Sequence, residues 1–263
     1  MNKCIQKEEY TQSQGGGFAW ENDIRVNVFG LPKEKNNTDV HDVDCKKNKY
    51  NENENVNIKT TCSGNIDCGD ILRFYTYDHN YKNTIFLVKY KQDNDYKILE
   101  AVYEIDYCKE LHKILFGSIS ELELKKYVNN VKKIPTNVKG NEAKNIFDYL
   151  LEKEKLQKKY NMKINISPKV DTSQSRVQCS IPNFEILCKE FIKYKENNNY
   201  IRGHKISDKI NSSSRKRKGI CVKDLKTICR NNKLHGYSKM RKHQLLSFIK
   251  KNNDEIKEIQ EII

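Results

Sequence analysis

Strand patterns and helix patterns alternate along the first 196 residues of this 263-residue chain, and this limits the folds open to it. Short apolar runs indicate strands at VHDVDC, VNIKTT, TIFLVKYKQ, YKILEAVYEIDY and SRVQCSI, while ILRFYTY fits a strand or a short helix. Helical patterns occur at GGGFAWENDIRVNVFGL, SELELKKYVNNVKK, AKNIFDYLLEKEKLQKKY and PNFEILCKEFIKYK. Strands at hairpin spacing within a helical frame predict an α/β domain over residues 1–196.

The net charge of +14 lies mostly in one C-terminal segment. RKRK occupies residues 215–218, and residues 219–252 contain nine lysines and arginines against one aspartate, whereas residues 253–263 are acidic. Such a concentration is typical of a module that binds a polyanion, with a solvated lysine-rich surface as the alternative. We therefore expect a basic flexible linker at 197–218, a nucleic-acid-binding module at 219–252 and an acidic tail at 253–263.

The sequence lacks the marks of membrane, secreted and zinc-binding proteins. It contains no run of 18 apolar residues, and its N-terminus has no apolar core of the signal-peptide kind, so we expect a soluble, intracellular protein without a membrane partner. The nine cysteines include no CxxC pair, which favours free thiols and predicts no zinc site.

The basic module divides at HGYSK into two helical patterns. Apolar residues share one helix face in each half, namely Val222, Leu225, Ile228 and Cys229 in the first and Met240, Leu245, Leu246 and Ile249 in the second. Gly236 is predicted to end the first helix in a left-handed conformation, and Ser238 to begin the second as its N-cap.

The stretch VKDLKTICRNNKLHGYSKMRKHQLLSFI resembles the helix–extended–helix modules of the SAP type, and also the N-terminal domain of the Rho transcription terminator. The resemblance implies a small all-α module that binds nucleic acid, mainly through phosphate. Some modules of this type contact proteins instead. The residues implied to face phosphate or bases are Lys226, Arg230, Tyr237, Ser238, Lys239, Arg241 and Lys242.

A second pattern in the first domain fits phosphodiester hydrolysis, which with Mg²⁺ needs carboxylates for the metal and a lysine for the attacking water or the developing charge. In the strand VNIKT, Asn57 and Lys59 point to one face because alternate residues share a face. Asp42 and Asp44 lie upstream and also share a face, and Glu21 lies on the preceding helix.

This order, a helix glutamate, then an aspartate, then a polar-x-lysine strand, resembles the PD-(D/E)xK restriction-endonuclease-like superfamily, whose members occur in bacteria and large DNA viruses. The resemblance implies a mixed sheet flanked by helices, with Mg²⁺ held by Glu21, Asp42, Asp44 and Asn57 and with Lys59 as the water-orienting lysine. The chain departs from the pattern in that no proline precedes either aspartate and Asn57 is neutral.

A competing frame pairs Asp70 with Lys89, but its partner position is Leu87, which does not bind metal. Asp70 then remains as a residue that supports the metal ligands or contacts DNA. Polar residues after the lysine strand and around the late strand are candidates for DNA contact, with a solvent-facing strand edge as the alternative for the later set. These residues are Thr60, Thr61, Ser63, Ser173, Gln174, Arg176 and Gln178.

Two functions follow from these patterns. The first is a Mg²⁺-dependent DNA endonuclease held on its polymer by the C-terminal module, acting in the cytoplasm, the nucleus or a viral replication site. The second is a non-catalytic DNA-binding, RNA-binding or scaffold protein with a degenerate nuclease-like fold. Cutting of both strands would call for a homodimer, and docking of the module on another protein is a third interpretation.

Overall fold

The computed structural model describes residues 4–5, 15–33, 39–94, 96–136, 138, 140–170, 173–211, 222–232, 234–238 and 240–252. The chain divides into two compact units, Met1–Ser212 and Ser213–Ile263. Across the described ranges, no helix has both the length and the apolar character needed to cross a membrane.

The strands of the first unit are distributed along its whole length. They are β1 (Cys4–Ile5), β2 (Glu54–Thr61), β3 (Ile66–Asp70), β4 (Lys82–Asp93), β5 (Tyr96–Asp106), β6 (Asn165–Lys169), β7 (Arg176–Ile181), β8 (Ile192–Glu196), β9 (Tyr200–Ile201), β10 (His204–Lys205) and β11 (Lys209–Asn211). Its helices are α1 (Gly15–Asn27), α2 (Ile71–Tyr75), α3 (Lys109–Phe116), α4 (Glu121–Lys132), α5 (Gly140–Ile146), α6 (Tyr149–Lys159) and α7 (Phe184–Leu187).

The main sheet has the strand order β1-β11-β5-β4-β2, and β8 also pairs with β5. Two neighbouring pairs, β1 with β11 and β2 with β4, are parallel, whereas the other pairs in this sheet are antiparallel. A smaller antiparallel sheet has the order β3-β7-β6, and β9 and β10 form a hairpin. The first unit is therefore a mixed α/β domain with a mixed sheet flanked by helices, which agrees with the predicted class.

The two faces of the main sheet bury different clusters, because alternate side chains of a strand point to opposite faces. On one face, Trp20 and Ile24 of α1 cluster with Val56, Ile58 and Phe86 of the sheet. On the other face, residues of β4 and β5 cluster with α2, α3, α4 and the smaller sheet. The residues that alternate with Val56 and Ile58 along β2 thus lie on the second face.

Buried polar contacts fix α1 against the segment before β11. The Trp20 indole donates to the Ser207 carbonyl oxygen at 2.9 Å, and the Ser207 amide donates to the Asp23 carboxylate at 2.5 Å. All three residues are almost fully buried. The orientation of α1, and with it the position of Glu21, therefore depends on contacts more than 180 residues away in sequence.

Residues 200–211 form β9, β10 and β11 of the first unit, although the sequence assigned 197–218 to a linker. Ile201, Ile206 and Ile210 are buried in the cluster beneath α1. Arg202, in the β9–β10 turn with φ +49°, forms a two-point ion pair with the buried Glu54 of β2, with both N–O distances 2.8 Å. The part of the linker from residue 212 to 218 lies outside the described residues.

Three predicted elements differ from the observed ones. VHDVDC forms an isolated bridge between Val43 and Val56 and a short 3₁₀ helix rather than a strand. The predicted helix over 143–160 is broken before Tyr149, where the Asp148 carboxylate accepts a hydrogen bond from the Leu151 amide at 3.1 Å and so starts α6. The predicted helix over 182–195 ends early, because Ile192–Glu196 pairs with β5.

The second unit contains α8 (Val222–Asn231) and α9 (Lys242–Lys251), which supports the two-helix prediction. Leu225, Cys229, Leu245 and Ile249 form its buried centre. Gly236 is left-handed, with φ +83°, but α8 ends five residues earlier. The reason is that the Leu234 amide turns back to the Cys229 carbonyl oxygen at 2.9 Å. The helix α9 begins four residues after Ser238, so Ser238 is not its N-cap.

A partly buried histidine, His112, gives the first unit a defined acid response. Burial, and then the charge of His79, lower the pKa of His112 to about 4, and its Nδ1 lies 2.9 Å from the Tyr107 hydroxyl. Because the folded state disfavours protonation, the free energy of unfolding should fall as the pH drops from about 6.5 towards 4.

We expect wild type to lose about 1 kcal/mol more than His112→Gln between pH 7 and pH 5, after allowance for solvent screening. Urea unfolding at the two pH values measures this difference. Equal pH dependence in both proteins would show that His112 does not control the acid response.

Candidate active site

One pocket of the first unit, of about 160 Å³, collects polar residues from α1, β2, β3, α2 and the segment before the 3₁₀ helix. It is lined by Glu21, Asp39, Val40, Asp42, Lys59, Cys68, Gly69, Asp70, Arg73 and Tyr77. Glu21, Asp42 and Lys59, which the sequence order singled out, are therefore brought together. Asp70, from the competing frame, joins them.

Asp42 is held between α1 and β2 by contacts to both. Its carboxylate accepts a hydrogen bond from the Ile58 amide at 2.5 Å and lies 3.7 Å from the Lys59 ammonium. Its carbonyl oxygen accepts a hydrogen bond from the guanidinium of the buried Arg25. The carboxylate is thus fixed beside Lys59, and the isolated bridge between Val43 and Val56 continues this attachment.

Asn57 lies outside the pocket lining, although the resemblance implied it as a metal ligand. The residue is 2% exposed, and both ends of its amide have partners within the first unit. The Tyr77 hydroxyl donates to its Oδ1 at 3.0 Å, and its Nδ2 lies 3.1 Å from His41 Nδ1. The neutral amide can accept from one neighbour and donate to the other, so both ends of Asn57 are engaged and the residue supports the pocket wall at Tyr77.

The His41 Nδ1 and the Asn57 amide are hydrogen-bonded to each other. Burial lowers the pKa of His41, despite the hydrogen bond with Asn57 and the nearby Asp44 and Asp42 carboxylates, which raise it. The ring also packs edge-on against Tyr77, with 4.8 Å between centroids. His41, Asn57 and Tyr77 therefore form one neutral layer beneath the pocket.

Asn57→Asp should destabilise the protein more at pH 8 than at pH 6. The new carboxylate would be buried beside an uncharged His41 ring at pH 8, but it would gain a charged partner once His41 is protonated. We expect a loss of about 2 kcal/mol at pH 8 and about half of that at pH 6. Urea unfolding at both pH values tests this expectation, and a loss that is independent of pH would contradict the layer just described.

Asp44 is also absent from the pocket lining. Its carboxylate caps the 3₁₀ helix Cys45–Lys47, accepting a hydrogen bond from the Lys46 amide at 3.0 Å. Asp70 instead lines the pocket while its Oδ1 caps α2 by accepting from the Arg73 amide at 3.0 Å. The structure therefore replaces Asp44 and Asn57 by Asp70 in the set of candidate ligands.

Lys89 does not accompany Asp70 into the pocket. Its ammonium lies 3.4 Å from the Glu185 carboxylate, which also accepts a hydrogen bond from the Tyr103 hydroxyl at 2.5 Å. Lys195 approaches the same carboxylate at 3.8 Å. The competing frame is thus split, because its aspartate belongs to the candidate site and its lysine to a separate ion-pair cluster.

The predicted DNA-contacting residues of the first unit have different environments. Thr61 is 6% exposed and closes the β2–β3 turn, donating to the Asn65 carbonyl oxygen at 2.6 Å, whereas Thr60 is half-buried and Ser63 is exposed. Gln178 pairs with Asp70 in the β3–β7 register, and β7 is the central strand of its sheet rather than a strand edge. Ser173, Gln174 and Arg176 are exposed.

In the second unit, the predicted nucleic-acid residues differ in what they contact. The Lys226 ammonium donates to the Ser238 carbonyl oxygen, and Tyr237 packs against the buried centre. Arg230 and Arg241 are exposed. Lys239 lies outside the described residues, and the side chain of Lys242 is not described either.

The electrostatic character of the pocket is anionic. Its lining contains four carboxylates but only two cationic groups, those of Lys59 and Arg73. Within the described residues, no three His, Cys, Asp or Glu side chains are already arranged closely enough to hold a metal ion. The pocket therefore presents carboxylates that would have to draw together around a cation.

Two charged residues of the lining, Asp39 and Arg73, were missed by the sequence patterns. The spacing of Asp70 and Arg73, three residues apart, gave the only signal for the arginine, because that spacing places both on one side of the α2 turn. Comparison with protein-family models, with curated proteins and with solved structures gave no match.

Proposed function

We propose that the first unit is a Mg²⁺-dependent DNA endonuclease with a restriction-endonuclease-like fold. The observation that carries the proposal is the convergence of Glu21, Asp42 and Lys59 on one pocket, from the three elements that the sequence order implied. Asp70 supplies a third carboxylate there, in place of the neutral Asn57. The mixed sheet, with α1 on one face and helices on the other, is consistent with this assignment.

The donor set of the pocket fits a hard divalent cation. Carboxylate oxygens are preferred ligands of Mg²⁺, and the carboxylates of the lining outnumber its cationic groups even though Asp39 is paired with Lys47 at 3.6 Å. Glu21, Asp42 and Asp70 are the residues that would hold it. A bound Mg²⁺ would supply Lewis-acid stabilisation of the phosphate oxygens and lower the pKa of a coordinated water.

Lys59 is the proposed water-orienting lysine. Its side chain is 27% exposed, so it is in contact with solvent as well as with Asp42. In this arrangement Asp42 orients the ammonium, and the ammonium donates hydrogen bonds towards the attacking water or the oxygens of the pentavalent transition state. The lysine therefore acts in the chemical step rather than in general DNA affinity.

The C-terminal unit is proposed to be a SAP-like or Rho-N-like module that binds DNA through phosphate. Its helices carry exposed basic residues, Arg230 and Arg241 among them, around a small apolar centre. A module linked to the nuclease would raise the local concentration of DNA at the pocket without adding sequence specificity. RNA offers the same phosphate backbone, and binding competition between duplex DNA and RNA distinguishes the two.

A homodimer is proposed for cleavage of both strands, because one pocket hydrolyses one phosphodiester at a time. Sedimentation of the chain on a duplex, at stoichiometric concentrations, tests this part separately. A monomer on DNA would indicate a nicking enzyme.

The second candidate function is non-catalytic binding of nucleic acid by the same two units. It is favoured by Asn57, which is neutral where the superfamily pattern has a carboxylate. The test is incubation of the full chain with mixed-sequence plasmid and genomic DNA at low salt, with Mg²⁺ or with EDTA. Nicked or linear product with Mg²⁺ alone supports the endonuclease, and salt-sensitive binding with intact DNA supports the non-catalytic protein.

A further inference from the structure

Arg73 is a lining residue of the candidate pocket for which the sequence patterns gave no role. Its backbone is fixed, because the neighbouring Ile71 and Phe74 are buried and the Asp70 carboxylate accepts from its amide at 3.0 Å. Its side chain is exposed, and the guanidinium donates to the Asp39 carbonyl oxygen at 3.4 Å. The residue thus combines a rigid attachment with an open cationic group.

The two cationic side chains of the pocket, Lys59 and Arg73, differ in the charge of the group that each contacts. Lys59 lies 3.7 Å from the Asp42 carboxylate, whereas Arg73 contacts a neutral carbonyl oxygen and makes no ion pair within 4.0 Å with any residue that the structure describes. Four carboxylates surround them, so an anionic substrate needs a cationic contact of its own in addition to a metal. Arg73 is placed to give that contact.

We propose that Arg73 binds the non-bridging oxygens of a DNA phosphate at the cleavage site, and so aligns the strand with Lys59. This inference rests on the proposed function. A planar guanidinium matches a phosphate with two parallel hydrogen bonds, a geometry that a lysine ammonium does not reproduce. The partner is therefore the sugar-phosphate backbone, read without regard to base sequence.

The test uses the full chain with Arg73→Ala, Arg73→Lys and, as a control, Lys126→Ala, which removes an exposed cation of α4 far along the sequence. Cleavage of a duplex is measured with Mg²⁺, and duplex binding is measured with Ca²⁺ from about 50 to 200 mM salt. Thermal unfolding verifies that each variant is folded.

We expect Arg73→Ala to lower kcat/KM by about 10- to 100-fold, mainly through KM, and to reduce the slope of log affinity against log salt by about one. Arg73→Lys should restore the slope but only part of kcat/KM, while Lys126→Ala should match wild type in both. If wild type cleaves and Arg73→Ala equals it in rate and slope, the Arg73 inference is overturned and the endonuclease stands. If wild type leaves DNA intact but Arg73→Ala still loses one unit of slope, the endonuclease falls and the phosphate contact stands.

Discussion

Lys59→Ala should reduce Mg²⁺-dependent DNA cleavage by about 10²- to 10⁴-fold in kcat while changing KM little. The ammonium is the cation that Asp42 holds at 3.7 Å in the pocket, and its loss removes a donor aimed at charge that develops only in the transition state. The effect on stability should be small, below about 1 kcal/mol, because a partly exposed ion pair contributes little. Steady-state cleavage of a supercoiled plasmid measures kcat and KM, and single-turnover cleavage of the same plasmid measures the rate constant of the chemical step.

Lys89→Ala is the matched control for this prediction. Lys89 lies on β4, the strand next to that of Lys59, and it is also 27% exposed and ion-paired. Because its partner Glu185 belongs to a cluster outside the pocket, its removal should leave kcat within about twofold of wild type. Cleavage that survives Lys59→Ala but is abolished by Lys89→Ala would move the catalytic lysine to β4 and refute the proposed site.

Glu54→Ala should be the most destabilising single substitution considered, with a loss of about 3–5 kcal/mol in the free energy of unfolding. Glu54 is 1% exposed and receives two hydrogen bonds from Arg202, one from Thr84 at 2.6 Å and an ion pair from Lys82 at 2.8 Å. Its removal would leave the Arg202 guanidinium, which is itself mostly buried, with Glu104 as its remaining carboxylate partner.

The pH dependence of this contact has a definite sign. Burial raises the pKa of the Glu54 carboxyl, but the hydrogen bonds from Arg202, Lys82 and Thr84 outweigh burial and lower it to about 2. A depressed carboxyl pKa contributes stability above about pH 4.5 that is lost as the pH falls towards 2.

Equilibrium urea unfolding at pH 7 of wild type, Glu54→Ala, Arg202→Ala and the double variant tests the contact. In this double-mutant cycle, the double variant should lose clearly less free energy of unfolding than the sum of the losses of the two single variants. A loss below about 1 kcal/mol for Glu54→Ala, or strict additivity, would show that the β9–β10 turn is held by packing alone.

Much of the sheet could be predicted because its strands carry their own signal. The apolar runs of β2, β4, β5 and β7 predict strands, because alternating apolar residues and β-branched residues are typical of strands whether one face or both faces are buried. The strand β8 was predicted as helix, because IKYKE has no strong strand pattern and takes its conformation from pairing with β5. A local sequence pattern therefore does not predict the conformation of a segment when pairing with a distant strand determines it.

In the candidate site too, local sequence determines the position of some side chains and distant contacts determine that of others. The order of Glu21, Asp42 and Lys59 along the sequence predicts their convergence; Glu21 and Lys59 lie on a helix and a strand of the predicted type, whereas Asp42 lies in a segment that was predicted as a strand and forms only an isolated bridge. Asn57 shares a strand face with Lys59, but its orientation is decided by Tyr77 and His41, residues 20 and 16 positions away. Asp44 is used locally, as a cap of a 3₁₀ helix that the sequence did not indicate.

The proposed Mg²⁺-dependent nuclease centre is the pocket that Asp42 lines and Asp44 does not. The most direct measurement is the rate of plasmid cleavage as a function of Mg²⁺ concentration for wild type, Asp42→Asn and Asp44→Asn. We expect cleavage by wild type and Asp44→Asn that saturates with Mg²⁺ and is lost in EDTA, and a rate at least about 10²-fold lower for Asp42→Asn. Equal rates for Asp42→Asn and wild type, or no cleavage by any of the three at any Mg²⁺ concentration, would contradict the claim.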